Sequence, residues 1–231
     1  MAEFASRADE IAAELRDEIL RGRYRPGERL PSERDLAARM SVNRGSVREA
    51  LKKLEQLRLI EIRRGGGARV IAIDRSSLDA LGHMLAVGDQ LDPMLVAQWL
   101  DVHEILMTGA VRFAVERADE DEVRRARELL REIATGHGSD ASFLASIEEL
   151  VELISIASRN LVLRVVRNGL RTLFEQRFAG PPRPSRAILR PAARQIDQAL
   201  EDRDALAAEE GLRQLLRAHR ERILKALERE V

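Results

Sequence analysis

The chain has 231 residues, enough for two domains of ordinary size or one large one. It contains no cysteine, which excludes disulfides, thiolate metal sites and cysteine nucleophiles and fits a reducing compartment. Basic and acidic side chains balance at 39 each, but unevenly: residues 31–70 hold ten Lys/Arg against five Asp/Glu, and residues 76–231 hold 22 against 26. A basic segment fused to a near-neutral remainder points to a nucleic-acid-reading module with a partner domain, and an aromatic content of 3% leaves little for single-strand stacking, so duplex DNA is expected. Met1–Arg7 lacks the apolar core of a signal peptide, and no apolar run approaches the ~18–20 residues of a membrane span. A cytoplasmic protein with no membrane partner is expected.

In chain order, Ala8, Ile11, Ala12, Leu15, Ile19 and Leu20 recur at helical spacing, and Gly22 and Pro26-Gly27 stop that helix. Ser32 can cap the next, with Asp35 three residues on; this helix buries Leu36 and Ala37 and ends near Met40. A short turn leads to Asn43, a capping residue for a helix from Arg44 to about Leu57. Its apolar stripe is Val47, Ala50, Leu51, Leu54 and Leu57, and the opposite face at its start carries Arg44, Ser46 and Arg48. In a helix-turn-helix the first residues of the second helix meet base edges and phosphates, and Arg serves both. Leu59–Ile62 reads as a strand, Gly65-Gly66-Gly67 as a tight turn and Ala68–Ile71 as the returning strand. Arg63 and Arg64 then sit at the tip of a hairpin wing. Each signal alone fits a solvated face or a flexible loop; their order within 45 residues carries the DNA-binding reading.

The string Pro26-Gly27-x-x-Leu30-Pro31-Ser32-Glu33-Arg34-x-Leu36-Ala37, followed by Val42-x-Arg44-x-x-Val47-Arg48-Glu49-Ala50-Leu51 and a glycine-rich wing, resembles the GntR family of bacterial transcription regulators. That resemblance implies DNA contacts at Arg34, Arg44, Ser46, Arg48, Arg64 and Gly65. Two positions depart from it: Asn43 stands where Ser or Thr is usual, and Gly45 where Thr, Ser or Pro is common. The glycine is expected to remove a phosphate contact and weaken the helix start.

The rest reads as helix, over roughly 92–117, 120–134, 140–158, 161–178, 186–201 and 204–229. Its separators are Gly136-His137-Gly138, Asn160, the Pro181–Pro184 cluster and Asp202–Asp204, and a linker is expected near Asp74–Ser77. The expected fold is mostly α: a winged helix-turn-helix over 1–75 and an all-helical bundle over 76–231. This layout, with Ala157-Ser158-Arg159-Asn160, is similar to the FadR subgroup, whose helical domain dimerises and binds a small effector. By that resemblance metal ligands fall on Ile147, Val151, Ala193 and Leu215, none of which can coordinate an ion, so no metal and no cofactor are expected. Effector contacts are expected at Trp99, His103 and Arg112; core packing for Trp99 and His103 and surface charge for Arg112 is the competing reading. His219 lies a turn past the last metal position with no evident partner. No Gly-x-Ser-x-Gly, phosphate loop or His-Glu-x-x-His suggests an enzyme.

The function these readings imply is a ligand-responsive homodimeric regulator, a repressor, on a palindromic operator in double-stranded DNA. Its effector is expected to be a small organic acid or an acyl-CoA. The alternative is an architectural DNA-binding protein whose helical domain only dimerises.

Overall fold

The computed structural model describes residues 6–63, 65–87, 90–136, 139–175 and 185–228. It divides into two compact units, Met1–Asp92 and Pro93–Val231.

The first unit opens with α1 (Arg7–Leu20), whose first turn is closed by a capping box between Ser6 and Asp9. α2 (Glu33–Arg39) starts under the Ser32 cap. The turn to α3 (Arg44–Gln56) passes through Ser41 at φ 54°, a left-handed backbone that lets the second helix strike off across the first. Leu15, Leu36, Val47 and Leu54 are fully buried and hold the three helices together. Strands β1 (Ile60–Arg63) and β2 (Gly67–Val70) pair antiparallel, Ile60 opposite Val70 and Arg63 opposite Gly67. The segment after Gly27 lies along β2 as well. Leu30 N–H donates to the Ala68 carbonyl (2.9 Å), Val70 N–H to that of Glu28 (2.9 Å), and Arg29 pairs with Arg69 as an isolated bridge.

Beyond the wing the sequence placed a linker and a boundary at residues 75/76. The structure instead forms a 3-10 turn (Ile73–Arg75), α4 (Leu78–Met84) and a two-residue hairpin of β3 (Ala86–Val87) and β4 (Gln90–Leu91). Ser77 N–H donates to the Leu57 carbonyl (3.0 Å), and Ala80 and Leu85 are fully buried, so this stretch folds with the first unit.

The second unit contains α5 (Pro93–Arg117), α6 (Glu120–Thr135), α7 (Asp140–Ala157), α8 (Leu161–Glu175), α9 (Arg186–Glu201) and α10 (Ala205–Leu227). These match the expected helices within a few residues; the Pro181–Pro184 separator and residues 137–138 lie outside the described residues. Asp119 closes a capping box at the start of α6, and Gly136 ends it in the left-handed conformation (φ 63°). α10 packs against α5 and α9, α6 against α7 and α9, around a core that includes Met107, Leu130, Ile133, Phe143, Ile196 and Leu212. None of the described helices is long and apolar enough to cross a membrane.

Candidate DNA-reading surface and effector cavity

Asn43 caps α3 by accepting a hydrogen bond from the Ser46 N–H at 2.8 Å. A Cβ on residue 45 would meet Asn43 Oδ1 at 3.1 Å, so glycine leaves room for the capping side chain. The two departures from the family pattern, Asn43 and Gly45, thus form one arrangement. Behind this cap Arg44 and Arg48 are exposed on the first turns of α3 and Ser46 is half-buried between them. Arg44 makes no ion pair among the described residues. Arg48 is held by Glu33 of α2 through two bonds, Nε to Oε1 at 3.2 Å and an Nη to Oε2 at 3.0 Å. The Arg48 hydrogen bonds keep the Glu33 carboxyl below its ordinary range, so this fork stays ionised on both sides. Arg34, with 76% of its side chain exposed, leans on Asp35 at 3.6 Å.

In the wing, Gly66 N–H donates to the Arg63 carbonyl (2.9 Å), and Gly65 and Gly67 both adopt φ 72°. Only glycine takes up this backbone without strain. Arg64 lies outside the described residues. Arg63 is paired with Glu61 at 2.8 Å, while Arg29 and Arg69 stand exposed beside the hairpin. The guanidinium of Arg29 comes so close to Gly67 that a Cβ there would lie 2.6 Å from Nε. Arg29 and Arg69 were not among the expected DNA contacts. Their closeness depends on the single-residue bridge beside β2, which leaves no periodic signal.

In the second unit Trp99 and His103 meet on one face of α5. Their rings stack at 5.1 Å between centroids, and Trp99 also stacks on Phe174 of α8 at 3.8 Å. These rings, with Arg171 of α8 and His219 and Leu216 of α10, line a cavity of about 180 Å³. Burial, with lesser contributions from the nearby His219 and Arg167, pushes the His103 imidazole down to about 4; burial and then Arg222 lower His219 as well. Both are neutral at pH 7. The Nε1 of Trp99 and the Nδ1 of His219 are buried with no hydrogen-bond partner among the described residues. Arg167, just 4% exposed, bonds Glu152 and Asn168 through one Nη, and its Nε has no partner among the described residues.

Arg112 does not join this group. Nine residues from His103, about two and a half turns, put it on the opposite side of α5. There it pairs with Glu116 at 3.3 Å and lines an open groove with Glu104, Thr108, Glu209 and Arg213. Residues 147, 151, 193 and 215, in contrast, do converge. Ile147, Val151, Ala193 and Leu215 line one apolar chamber of about 80 Å³ together with Met107 and Leu189. No group of three or more His, Cys, Asp or Glu side chains that could hold a metal occurs among the described residues.

A capped recognition helix beside a basic wing, and a helical partner enclosing small cavities, define a DNA-binding regulator of the winged helix-turn-helix class. Residues 7–70 match the family described as bacterial regulatory proteins, gntR family, and residues 98–218 match the FCD domain. An uncharacterized HTH-type transcriptional regulator of Mycobacterium tuberculosis is 32% identical over 167 residues, 71% of this chain and 68% of that protein. The galactonate operon transcriptional repressor of Escherichia coli is 26% identical over 180 residues, 76% of this chain and 79% of that one. The fold is similar to that of Lar, which controls expression of the Listeria monocytogenes agr system, at TM-score 0.52 and 15% identity over 96% of this chain and 99% of that chain. The chain therefore belongs to the GntR family of bacterial regulatory proteins and carries an FCD domain. It is a transcription regulator with an effector-binding domain and not an enzyme.

Proposed function

We propose that the protein is a homodimeric repressor of the FadR subgroup that binds a palindromic operator and changes its DNA affinity when a small molecule occupies the helical unit. The observation that carries the DNA half is the capped start of α3, where Arg44, Ser46 and Arg48 face outward beside Arg34. In this reading the arginines meet guanine edges and phosphates in the major groove, Ser46 bonds a phosphate, and the turn of Arg64 and Gly65 reaches the adjoining minor groove. The similarity to the galactonate operon repressor supports repression as the outcome.

The dimer is supported by α8. Leu161 and Val162, each 72% exposed, and Val165 at 60% form an apolar face that a second copy would cover. Two-fold pairing would place two recognition helices on two half-sites. The effector reading rests on the cavity at Trp99 and His103, which favours a sensor over an architectural protein. Four apolar side chains at the positions of the expected metal ligands support sensing without a metal. The test is operator binding at fixed salt with Arg44→Ala, expected to lose roughly 1–3 kcal/mol of specific affinity while an exposed acidic control such as Glu128→Gln keeps it. Equal affinity of wild type and Arg44→Ala would remove the recognition-helix assignment.

A further inference from the structure

Two exposed arginines of the first unit stand side by side without a carboxylate partner among the described residues. Arg29 lies directly opposite Arg69 in the isolated bridge beside β2. The hydrogen bonds from Leu30 to Ala68 and from Val70 to Glu28 flank this pair, so it is of the narrow kind, in which opposed side chains start closest together. Like charges placed in this way cost stability. The carboxylates at hand are engaged elsewhere. Glu28 accepts from the Arg25 N–H at 2.8 Å, and Glu61, opposite Arg69 on β1, holds Arg63 at 2.8 Å. The two guanidinium groups diverge. That of Arg69 donates to the Gly27 carbonyl at 2.9 Å, whereas that of Arg29 lies against Gly67 at the foot of the glycine turn, where a Cβ would stand 2.6 Å from its Nε. The Arg29 side chain makes no hydrogen bond or ion pair among the described residues, which leaves its five N–H donors unused by the fold.

Arg29 is a charge that the fold positions and does not use. We propose that it is a phosphate contact of the DNA-binding surface, delivered to the wing from the segment before α2, with Arg69 supplying a second contact farther from the hairpin tip. The inference rests on the reading of α3 as the recognition helix and extends that surface. Arg29 precedes Glu33 by four residues, at most ~14 Å of extended chain, and Glu33 holds Arg48 of α3. The pair therefore adjoins the face that meets the major groove. Duplex DNA presents a row of phosphates, and a guanidinium meets each through two parallel N–H···O bonds. Phosphates set against Arg29 and Arg69 would also offset the repulsion that the free protein carries. Gly67 has a part in this beyond its backbone: with no Cβ, it leaves the guanidinium room at the turn. Contacts of this kind fix the register of the wing on the duplex and carry no sequence information.

The probes are two labelled duplexes, one enriched from a random-sequence pool with the full-length protein and one of random sequence. Fluorescence anisotropy over a range of salt concentrations compares wild type with full-length Arg29→Gln, Arg29→Lys, Arg69→Gln and Arg44→Ala. Arg29→Gln should bind both duplexes about three- to tenfold more weakly, by the same factor, and its slope of log K against log salt should be shallower by at least about 0.9. Arg29→Lys keeps the charge and should recover most of the affinity and the slope. The melting temperature of Arg29→Gln should not fall, because no bond is lost and a like-charge pair is relieved. Arg69→Gln should change affinity and slope in the same sense; an unshifted slope would strike Arg69 from the proposal. Unchanged binding by Arg29→Gln, or a loss that Arg29→Lys does not recover, would overturn it. So would a loss confined to the enriched duplex, which would make Arg29 a reader of bases. Arg44→Ala separates the two readings. Weak binding of the enriched duplex by Arg44→Ala, with Arg29→Gln unchanged, upholds the recognition helix and defeats the phosphate contact; the reverse upholds the contact and defeats the helix assignment.

Discussion

The pair formed by Glu33 and Arg48 makes the DNA surface testable at one bond. Arg48 meets Glu33 through Nε at 3.2 Å and an Nη at 3.0 Å, with 63% of the Arg48 and 36% of the Glu33 side chain exposed. Exposed pairs of this kind contribute about 0.2–1 kcal/mol, so Glu33→Gln should shift folding stability by less than about 1 kcal/mol. For Arg48 to reach a guanine edge, it must give up this partner on binding. Removing the carboxylate lifts that cost, which corresponds to operator binding about 1.4- to 5-fold tighter, and it also removes a negative charge from a surface that faces phosphates. Arg48→Ala should weaken binding by roughly 1–3 kcal/mol, and Glu33→Gln added to it should lose most of its benefit. Fluorescence anisotropy with a labelled operator at constant ionic strength, for all four proteins of the cycle, gives the coupling. If Glu33→Gln weakens binding as much as Arg48→Ala does, the reasoning fails. The carboxylate would then be a reading group, for instance an acceptor for a cytosine amino group, and not a restraint on the arginine.

The wing should be more sensitive at Gly67 than at Gly65, since both hold φ 72° but just Gly67 has Arg29 at 2.6 Å from where a Cβ would stand. Thermal melts should show Gly65→Ala losing about 1–2 kcal/mol to the left-handed backbone and Gly67→Ala losing more, and equal losses would mean that Arg29 yields freely. Val165→Asp places a charge in the apolar face of α8 and should leave a folded monomer whose operator affinity falls at least tenfold; analytical ultracentrifugation that still finds a dimer would exclude this face. Acidification should destabilise the helical unit through His103. Its folded pKa, about 4, lies below the ordinary 6.5, so the unfolded chain binds more protons between these values. That contribution is whole above pH 6.5 and is lost as pH falls towards 4, reaching about 2 kcal/mol at pH 5. Urea melts at pH 7.5 and 5 should therefore diverge more for wild type than for His103→Gln, and identical divergence would show that other groups set the acid sensitivity.

What the sequence made legible depends on how far apart the cooperating residues lie along the chain. The reading helix was legible because its cap, apolar stripe and basic face repeat within a few turns, and Asn43, Arg44 and Arg48 stand where spacing put them. Helices α5 to α10 were legible for the same reason. The stretch from Leu78 to Leu91 was not. Its helix has seven residues and its strands two each, too short for a period to emerge, and what fixes it is a bond from Ser77 back to Leu57. Trp99 and His103 share a helix face four residues apart, so their pairing was visible; Arg112, nine residues on, faces away, and helix geometry alone could have excluded it. The groups that complete the cavity, Arg171, Phe174 and His219, come from two other helices, and no local pattern joins them to Trp99. His219 stood without an evident partner in the sequence because its cavity neighbours on α5 and α8, His103 and Phe174 among them, lie many helical turns earlier in the chain. Local periodicity fixes the exposed basic face of α3, whereas the cavity at Trp99 and His103 exists only once three helices have packed. Where such a cavity is the effector site, exchanges of side chains on α5, α8 and α10 change the signal while the recognition helix and wing remain as they are.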